Sequence, residues 1–235
     1  MHVERDGQVL PVALWRPAAP VSSRPRLVLL GHGGSGHKRS DRIVQLARWL
    51  VGRAGMTVVA IDGPFHGDRV ATPLTPAEYW ARIAAEGPGQ VIDRMTGDWL
   101  ATIAVVDDLG LADTEAIGYV GLSMGSRYGL PLAAALGGRL QCAVFGKFGL
   151  QQQTPPLPAA LDTTRLIRQA AQQVTARTLF HVQWDDELFP RDGQLLLFDL
   201  LGSPDKRLIA FPGRHGDTHP DAVTGRRDFV VNSLT

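Results

Sequence analysis

Residues 117–125 read Ile117-Gly118-Tyr119-Val120-Gly121-Leu122-Ser123-Met124-Gly125. An apolar run of strand length ends at Gly121 and a helical pattern begins near Ser126, which leaves a serine on the turn between them in the arrangement G-x-S-x-G. The glycines have a mechanical reason. A side chain two residues before or after the serine would collide with so sharp a turn, and the serine itself must accept a strained backbone. The helix that follows aims its positive end at the turn and so favours negative charge developing there.

The same alternation of strand and helix extends in both directions. Apolar runs at Arg26–Leu30, Thr57–Ile61, Leu140–Phe145, Thr178–Gln183 and Arg207–Phe211 join Ile117–Gly121 as predicted strands. Each is too short for a buried helix and rich in Val, Ile, Leu or Phe, as in strands covered on both faces. Helical patterns lie near 40–53, 90–109, 125–136, 191–201 and 220–234. Right-handed crossovers then give a mostly parallel sheet with helices on both sides, an α/β architecture. Residues 2–16 alternate more loosely and predict one or two edge strands.

Two stretches break the rhythm. Residues 63–89 contain Pro64, Pro73, Pro76 and Pro88 around a short helical piece at Pro76–Ala85, and residues 149–174 open with Gln151-Gln152-Gln153-Thr154-Pro155-Pro156-Leu157-Pro158 before turning helical. Both follow strand ends, where open α/β sheets carry their ligand loops. Their apolar side chains, among them Phe65, Tyr79, Trp80, Leu157, Leu161, Leu166 and Ile167, predict lids that wall a mainly apolar pocket. No repeat or linker divides the chain, so residues 1–235 are expected to form one domain.

Composition excludes several classes of function. With 24 basic and 23 acidic side chains the net charge is +1, which gives no electrostatic footprint for nucleic acid or an acidic membrane surface. Cys142 is the one cysteine, so an internal disulfide and a thiolate zinc cluster are both ruled out. No run approaches the roughly 18 apolar residues of a membrane span. The start Met1-His2-Val3-Glu4-Arg5-Asp6 is charged where a signal peptide needs an apolar run, and the expectation is a cytoplasmic globular protein.

Further groups would complete a reactive serine. Gly31-His32-Gly33-Gly34-Ser35-Gly36 follows the first parallel strand. Its glycines would let backbone N–H groups approach an oxyanion. A phosphate cradle is the competing reading, but Lys38-Arg39 does not supply the G-K-[ST] ending of a P-loop. A base and an orienting carboxylate are also needed. Asp185-Asp186-Glu187-Leu188-Phe189-Pro190 lies beyond one strand, and Pro212-Gly213-Arg214-His215-Gly216-Asp217 beyond the next. An acid and a histidine so placed can meet on the C-terminal edge of the sheet.

The order serine, acid, histidine on this scaffold resembles the α/β-hydrolase-fold serine hydrolases, and most closely the small dienelactone-hydrolase-like and prolyl-oligopeptidase-like esterases. The resemblance spans nearly the whole chain. It implies Ser123 as nucleophile, Asp186 as the acid of a D-x-x-x-P loop ending at Pro190, and His215 as the base of a P-G-x-H-G turn. It further implies Gly34 and Met124 as oxyanion donors. Asp62-Gly63-Pro64-Phe65-His66-Gly67 resembles the family's D-x-x-G-H-G loop, whose role is mainly structural. Dienelactone hydrolases proper carry a cysteine nucleophile, so their substrate does not transfer, and the prolyl-oligopeptidase propeller is missing.

The expected activity is cleavage of a carboxylic ester or related acyl bond through an acyl-serine, on a small-molecule substrate and without cofactor or metal. Thioester, lactone, amide or aminopeptide cleavage, and lyase chemistry on the same fold, remain open. Phe65, His66, Trp80, Leu161 and Trp184 are candidate pocket residues. A metal site at His66, His215 and His219 with Asp217 is the weaker reading of those histidines, and Cys142, in an apolar strand, reads as a buried hydrophobe.

Overall fold

The computed structural model describes residues 1–19, 22, 24–151 and 158–235. Alternation along Leu27-Val28-Leu29-Leu30 sets the layers, because successive strand residues face opposite sides of a sheet. Leu27 and Leu29 pack into one apolar cluster and Val28 and Leu30 into another, all without solvent exposure. Among the described residues one sheet contains eight strands: β1 (His2–Arg5), β2 (Gln8–Trp15), β3 (Arg26–Gly31), β4 (Thr57–Ile61), β5 (Asp113–Gly121), β6 (Leu140–Gly146), β7 (Arg177–Gln183) and β8 (Lys206–Phe211). Their spatial order is β1-β2-β4-β3-β5-β6-β7-β8. Strand β2 runs antiparallel to β1 and β4, and the strands from β4 to β8 are parallel. This is the α/β-hydrolase architecture that the sequence predicts.

The helices are α1 (Asp41–Ala54), α2 (Pro76–Glu86), α3 (Pro88–Asp108), α4 (Met124–Leu136), α5 (Thr164–Gln173), α6 (Arg191–Leu200) and α7 (Pro220–Leu234). Ile43, Ala47 and Leu50 of α1 join Phe229, Val230 and Leu234 of α7 on one face. The other face is covered by α3 through Trp99 and Ile103, by α4 through Leu130 and Leu132, and by α5 and α6 through Ile167 and Leu197. Strand β5 begins four residues before the predicted Ile117. Asp113 pairs with Arg26 on β3 and a register shift follows, so the pairing starts outside the apolar run.

After β4 the chain crosses β3 to lay down β5 on its other side. The C-terminal ends of β3 and β5 therefore form a switch point, where α/β sheets hold ligands. Gly31 and Gly121 pair in register there. The glycine-rich loop and the serine turn thus leave the sheet side by side.

Of the two interrupting segments, 63–89 folds as a short 3-10 turn at Gly67–Arg69 followed by α2, whose start is fixed by a capping box between Thr75 and Glu78. In segment 149–174, residues 152–157, including Leu157, lie outside the described residues. The rest forms a 3-10 turn at Ala159–Leu161 and then α5. Helix α2 packs on that turn and α5 packs along α4.

Candidate active site

Ser123 sits at φ 57° and ψ −120°, a conformation that costs a non-glycine residue about 1–3 kcal/mol and persists only when its surroundings impose it. The surroundings do. Ser123 N–H donates to Gly146 O at 2.9 Å. The Ser126 hydroxyl lies 2.8 Å from Gly121 O and 3.0 Å from Gly146 O, and accepts from Gly146 N–H at 2.9 Å. Buried Tyr119 donates to Gly125 O at 2.7 Å from beneath. A Cβ on Gly121 would come within 2.7 Å of Gly125 O, and one on Gly125 within 2.7 Å of Gly31 O. Both motif glycines are therefore required by close backbone approach.

His215 meets the serine with Nε2 2.9 Å from Ser123 Oγ, while Nδ1 lies 2.8 Å from Asp186 Oδ2. The Asp186 carboxylate is fully shielded from solvent, and its Oδ1 accepts from the N–H groups of Leu188 and Phe189, each at 2.9 Å. Three consecutive acids divide the work of holding the loops. Asp185 accepts from Gly213 N–H at 3.0 Å, Asp186 faces the imidazole, and Glu187 accepts from His215 N–H at 2.9 Å. His219 lies elsewhere, stacked on Phe211 at 4.8 Å and accepting from Asp221 N–H at the start of α7.

Among the described residues, neither Gly34 N–H nor Met124 N–H donates a hydrogen bond within the protein. The peptide before Gly34 is held by His32, whose Nδ1 donates to Gly33 O at 2.8 Å while Nε2 accepts from Gly63 N–H at 2.8 Å. Burial pushes the His32 pKa down to about 4, which matches this neutral tautomer. His66 has Nε2 2.8 Å from Gly34 O and Nδ1 2.7 Å from Pro64 O. Buried Lys38 fastens the two loops further, pairing with Asp62 and with Asp68, the latter at 2.7 Å.

The candidate pocket residues divide. Trp80 stands 5.0 Å from Tyr79, and Arg127 lies over its ring at 5.2 Å. Phe65, at φ 58°, packs edge-on to Tyr79 and carries Arg82 and Arg94 over its ring. Leu161, the last residue of the 3-10 turn, is buried in the core. Trp184 does not join them. It follows β7, is 45% exposed and carries Arg191 over its ring at 4.2 Å.

A cavity of about 280 Å³ opens between α4 and α5, lined by Phe148, Leu150, Ile167 and Phe189 but also by Arg127, Asp162, Thr163 and Thr164. It is more polar than the apolar side chains of the two segments predict, because Asp162 and Thr163 before α5, Thr164 at its start and Arg127 of α4 line it rather than the tryptophans. Phe189 connects it to the site, its ring 5.8 Å from that of His215.

Sequence reading missed Arg127, the tautomeric role of His32, and Lys147. Lys147 is buried and donates to the carbonyls of His215, at 3.1 Å, and Asp217. A lysine two residues beyond the apolar run Leu140–Phe145 was the available signal. Cys142 is fully buried, as expected. Among the described residues no three His, Cys, Asp or Glu side chains gather as a metal site, and no helix is long and apolar enough to cross a membrane.

No family model and no curated protein matches the chain. Solved structures do. A cold-adapted esterase from an Arctic intertidal metagenomic library is 33% identical with a TM-score of 0.81, the match covering 100% of this chain and 93% of that one. Est1E from Butyrivibrio proteoclasticus, solved with ferulic acid bound, shares the fold at 17% identity and a TM-score of 0.73, covering 100% and 99% of the two chains. A monoacylglycerol lipase from Paleococcus ferrophilus shares it at 18% identity and 0.64, covering 96% and 98%. By this likeness the chain belongs to the esterases of the α/β-hydrolase fold, and it is an ester-cleaving hydrolase of carboxylesterase type.

Proposed function

We infer that the chain cleaves carboxylic esters through a covalent acyl-serine formed on Ser123. The observation that carries this reading is the unbroken hydrogen-bonded series Ser123 Oγ, His215 and Asp186. His215 Nε2 takes the hydroxyl proton as Oγ attacks the ester carbonyl, and Asp186 fixes the tautomer and stabilises the imidazolium. The oxyanion is received by the N–H groups of Gly34 and Met124, which have no competing acceptor among the described residues. Collapse of the tetrahedral intermediate expels the alcohol, which takes the proton back from His215. Water then attacks the acyl-enzyme by the same route in reverse and releases the acid. Neither a metal nor an organic cofactor enters these steps.

A single domain of residues 1–235 suffices for this chemistry. Within it, segments 63–89 and 149–174 act as the walls of the acyl site. For 149–174 support comes from Leu150, Ala159, Asp162, Thr163, Thr164 and Ile167, which line the cavity, and for 63–89 from Trp80, which packs on the lining residue Arg127. The test uses a fluorophosphonate probe and p-nitrophenyl esters on the wild type and Ser123→Ala. The wild type should label and turn over, and the variant should lose labelling together with about 10⁴-fold or more of the rate. A folded variant that keeps a tenth of the turnover would remove Ser123 from the mechanism.

A further inference from the structure

Arg127 follows Ser123 by one helical turn, its backbone N–H donating to Ser123 O at 3.1 Å. The residue is 8% exposed, yet among the described residues its guanidinium makes no hydrogen bond and no ion pair. Residues 20, 21, 23 and 152–157, outside the described part, include no Asp or Glu. What surrounds the group is aromatic. Its Cζ lies 5.2 Å from the ring centroid of Trp80 and 5.6 Å from that of Phe148.

Physical cost makes this arrangement informative. Cation–π contacts return less than an unpaired charge costs to bury, and among the described residues the fully buried polar atoms without a partner are Trp99 Nε1, Arg227 Nε and Ser233 Oγ, so the Arg127 fork reaches the cavity. Among the described residues the five N–H donors of its rigid fork meet no protein acceptor. The group lines the cavity of about 280 Å³ that adjoins His215 through Phe189, close to the lower end of small-molecule sites at about 300 Å³. Asp162 is the one carboxylate lining the cavity, and it is committed elsewhere. It accepts from Thr164 N–H at 2.8 Å at the start of α5, and Thr164, with a smaller contribution from the charge of Arg127, holds its pKa below the usual carboxylate value.

We propose that Arg127 is a specificity-determining residue that receives a carboxylate of the substrate, so that the preferred substrate is an ester bearing a second, free acid group. This rests on the acyl-serine reading above and names its substrate class. A planar guanidinium binds a carboxylate in bidentate fashion. The rings of Trp80 and Phe148 hold the fork in place and partly cover it, which strengthens the pairing by excluding water.

The experiment compares kcat/KM for charged and uncharged ester pairs at low and high salt. One arm places the acid in the acyl group, as p-nitrophenyl hydrogen glutarate against its uncharged isostere p-nitrophenyl 5-methylhexanoate. The other places it in the alcohol, as the butyrate ester of 4-hydroxybenzoate against phenyl butyrate. The expected result is a preference of at least tenfold for the charged member in one arm, which also identifies the half of the ester that enters the cavity. In Arg127→Gln that ratio should fall at least tenfold, and in Asp162→Asn, which removes the competing negative charge, it should rise about threefold. An equal loss on both members in Arg127→Gln means a packing role and overturns the proposal. So does a wild type that prefers uncharged esters in both arms. Should Arg127→Gln fail to fold, Arg127→Lys and Asp162→Asn decide, and unchanged ratios in both overturn it. A wild type that neither labels with fluorophosphonate nor cleaves any ester refutes the Ser123 mechanism instead.

Discussion

The imidazole of His32 donates through Nδ1 to Gly33 O at 2.8 Å, and this fixes the direction of the next N–H. In a trans peptide the carbonyl and the following amide point opposite ways. Holding Gly33 O against the ring therefore turns Gly34 N–H outward. Gly63 N–H, donating to Nε2 at 2.8 Å, locks the ring itself. His32→Ala should release the Gly33–Gly34 peptide and lower kcat by about 10- to 100-fold, approaching the loss of one oxyanion donor. KM should change far less. Steady-state kinetics on a p-nitrophenyl ester checks it, and a fall confined to KM would contradict the assignment.

The neighbouring acids 185 and 186 give a sharper comparison. Asp186 bonds the imidazole and is fully shielded from solvent, whereas Asp185 only braces Gly213 N–H. Asp186→Asn keeps the shape but offers the wrong partner to Nδ1, and kcat should fall by about 10⁴. Asp185→Asn should cost less than tenfold, with a small loss of melting temperature as its main effect. The reverse order of the two kcat values would place the acid at Asp185.

The parts of this fold legible in the sequence were those written in local pattern. Strand β4 matches its predicted limits, an unbroken run of β-branched and apolar residues from Thr57 to Ile61 that is buried throughout. Helices α1 and α7 were read to within a residue or two, and Gly121, Ser123 and Gly125 announced the turn. What was not legible depends on distant chain. Arg127 looks like any helical arginine until Trp80 and Phe148 close over it. Trp184 looks like a pocket residue until the turn after β7 leaves it 45% exposed. Lys147 shows its purpose only when the His215 loop, 68 residues later, folds onto it.

Two buried neutral histidines set an acid limit on stability. Burial brings His32 down to about 4. Burial, with Arg226 and Lys147 nearby, brings His181 down to about 3. Arg226 donates to His181 Nδ1 at 3.0 Å, which leaves that nitrogen an acceptor. Between these values and about 6.5 the unfolded chain binds protons that the folded chain refuses, so stability falls as pH falls through that window. From pH 7.5 to pH 5 each histidine should remove about 2 kcal/mol. Denaturant unfolding across that range measures the slope. His181→Gln should flatten it by roughly half, and an unchanged slope would show that His181 does not contribute.

Lys147 ties the base to β6, the strand beside the nucleophile's. Gly146 O accepts from Ser123 N–H, and the next residue sends its ammonium group to the carbonyls of His215 and Asp217. Lys147→Met preserves most of the side-chain volume but leaves both carbonyls without their donor and the His215 loop without its tether. The imidazole then samples positions away from Ser123 Oγ, and kcat should fall about tenfold while fluorophosphonate still labels the serine, more slowly. A pH experiment separates this from general loosening. Burial, with Arg226 and Arg42 nearby, lowers the Lys147 pKa to about 8 from its ordinary 10.5, so between those values the unfolded chain holds a proton that the folded chain has released. Stability contributed by this group therefore rises with pH from about 8 to 10.5, the sign opposite to that of a lysine in a favourable ion pair. The neutral amine still carries two N–H donors for its two carbonyls, so the tether survives the titration. Wild type should thus gain stability relative to Lys147→Met as pH rises from 8 toward 10, and equal slopes in the two proteins would show that this lysine is not held against its charge.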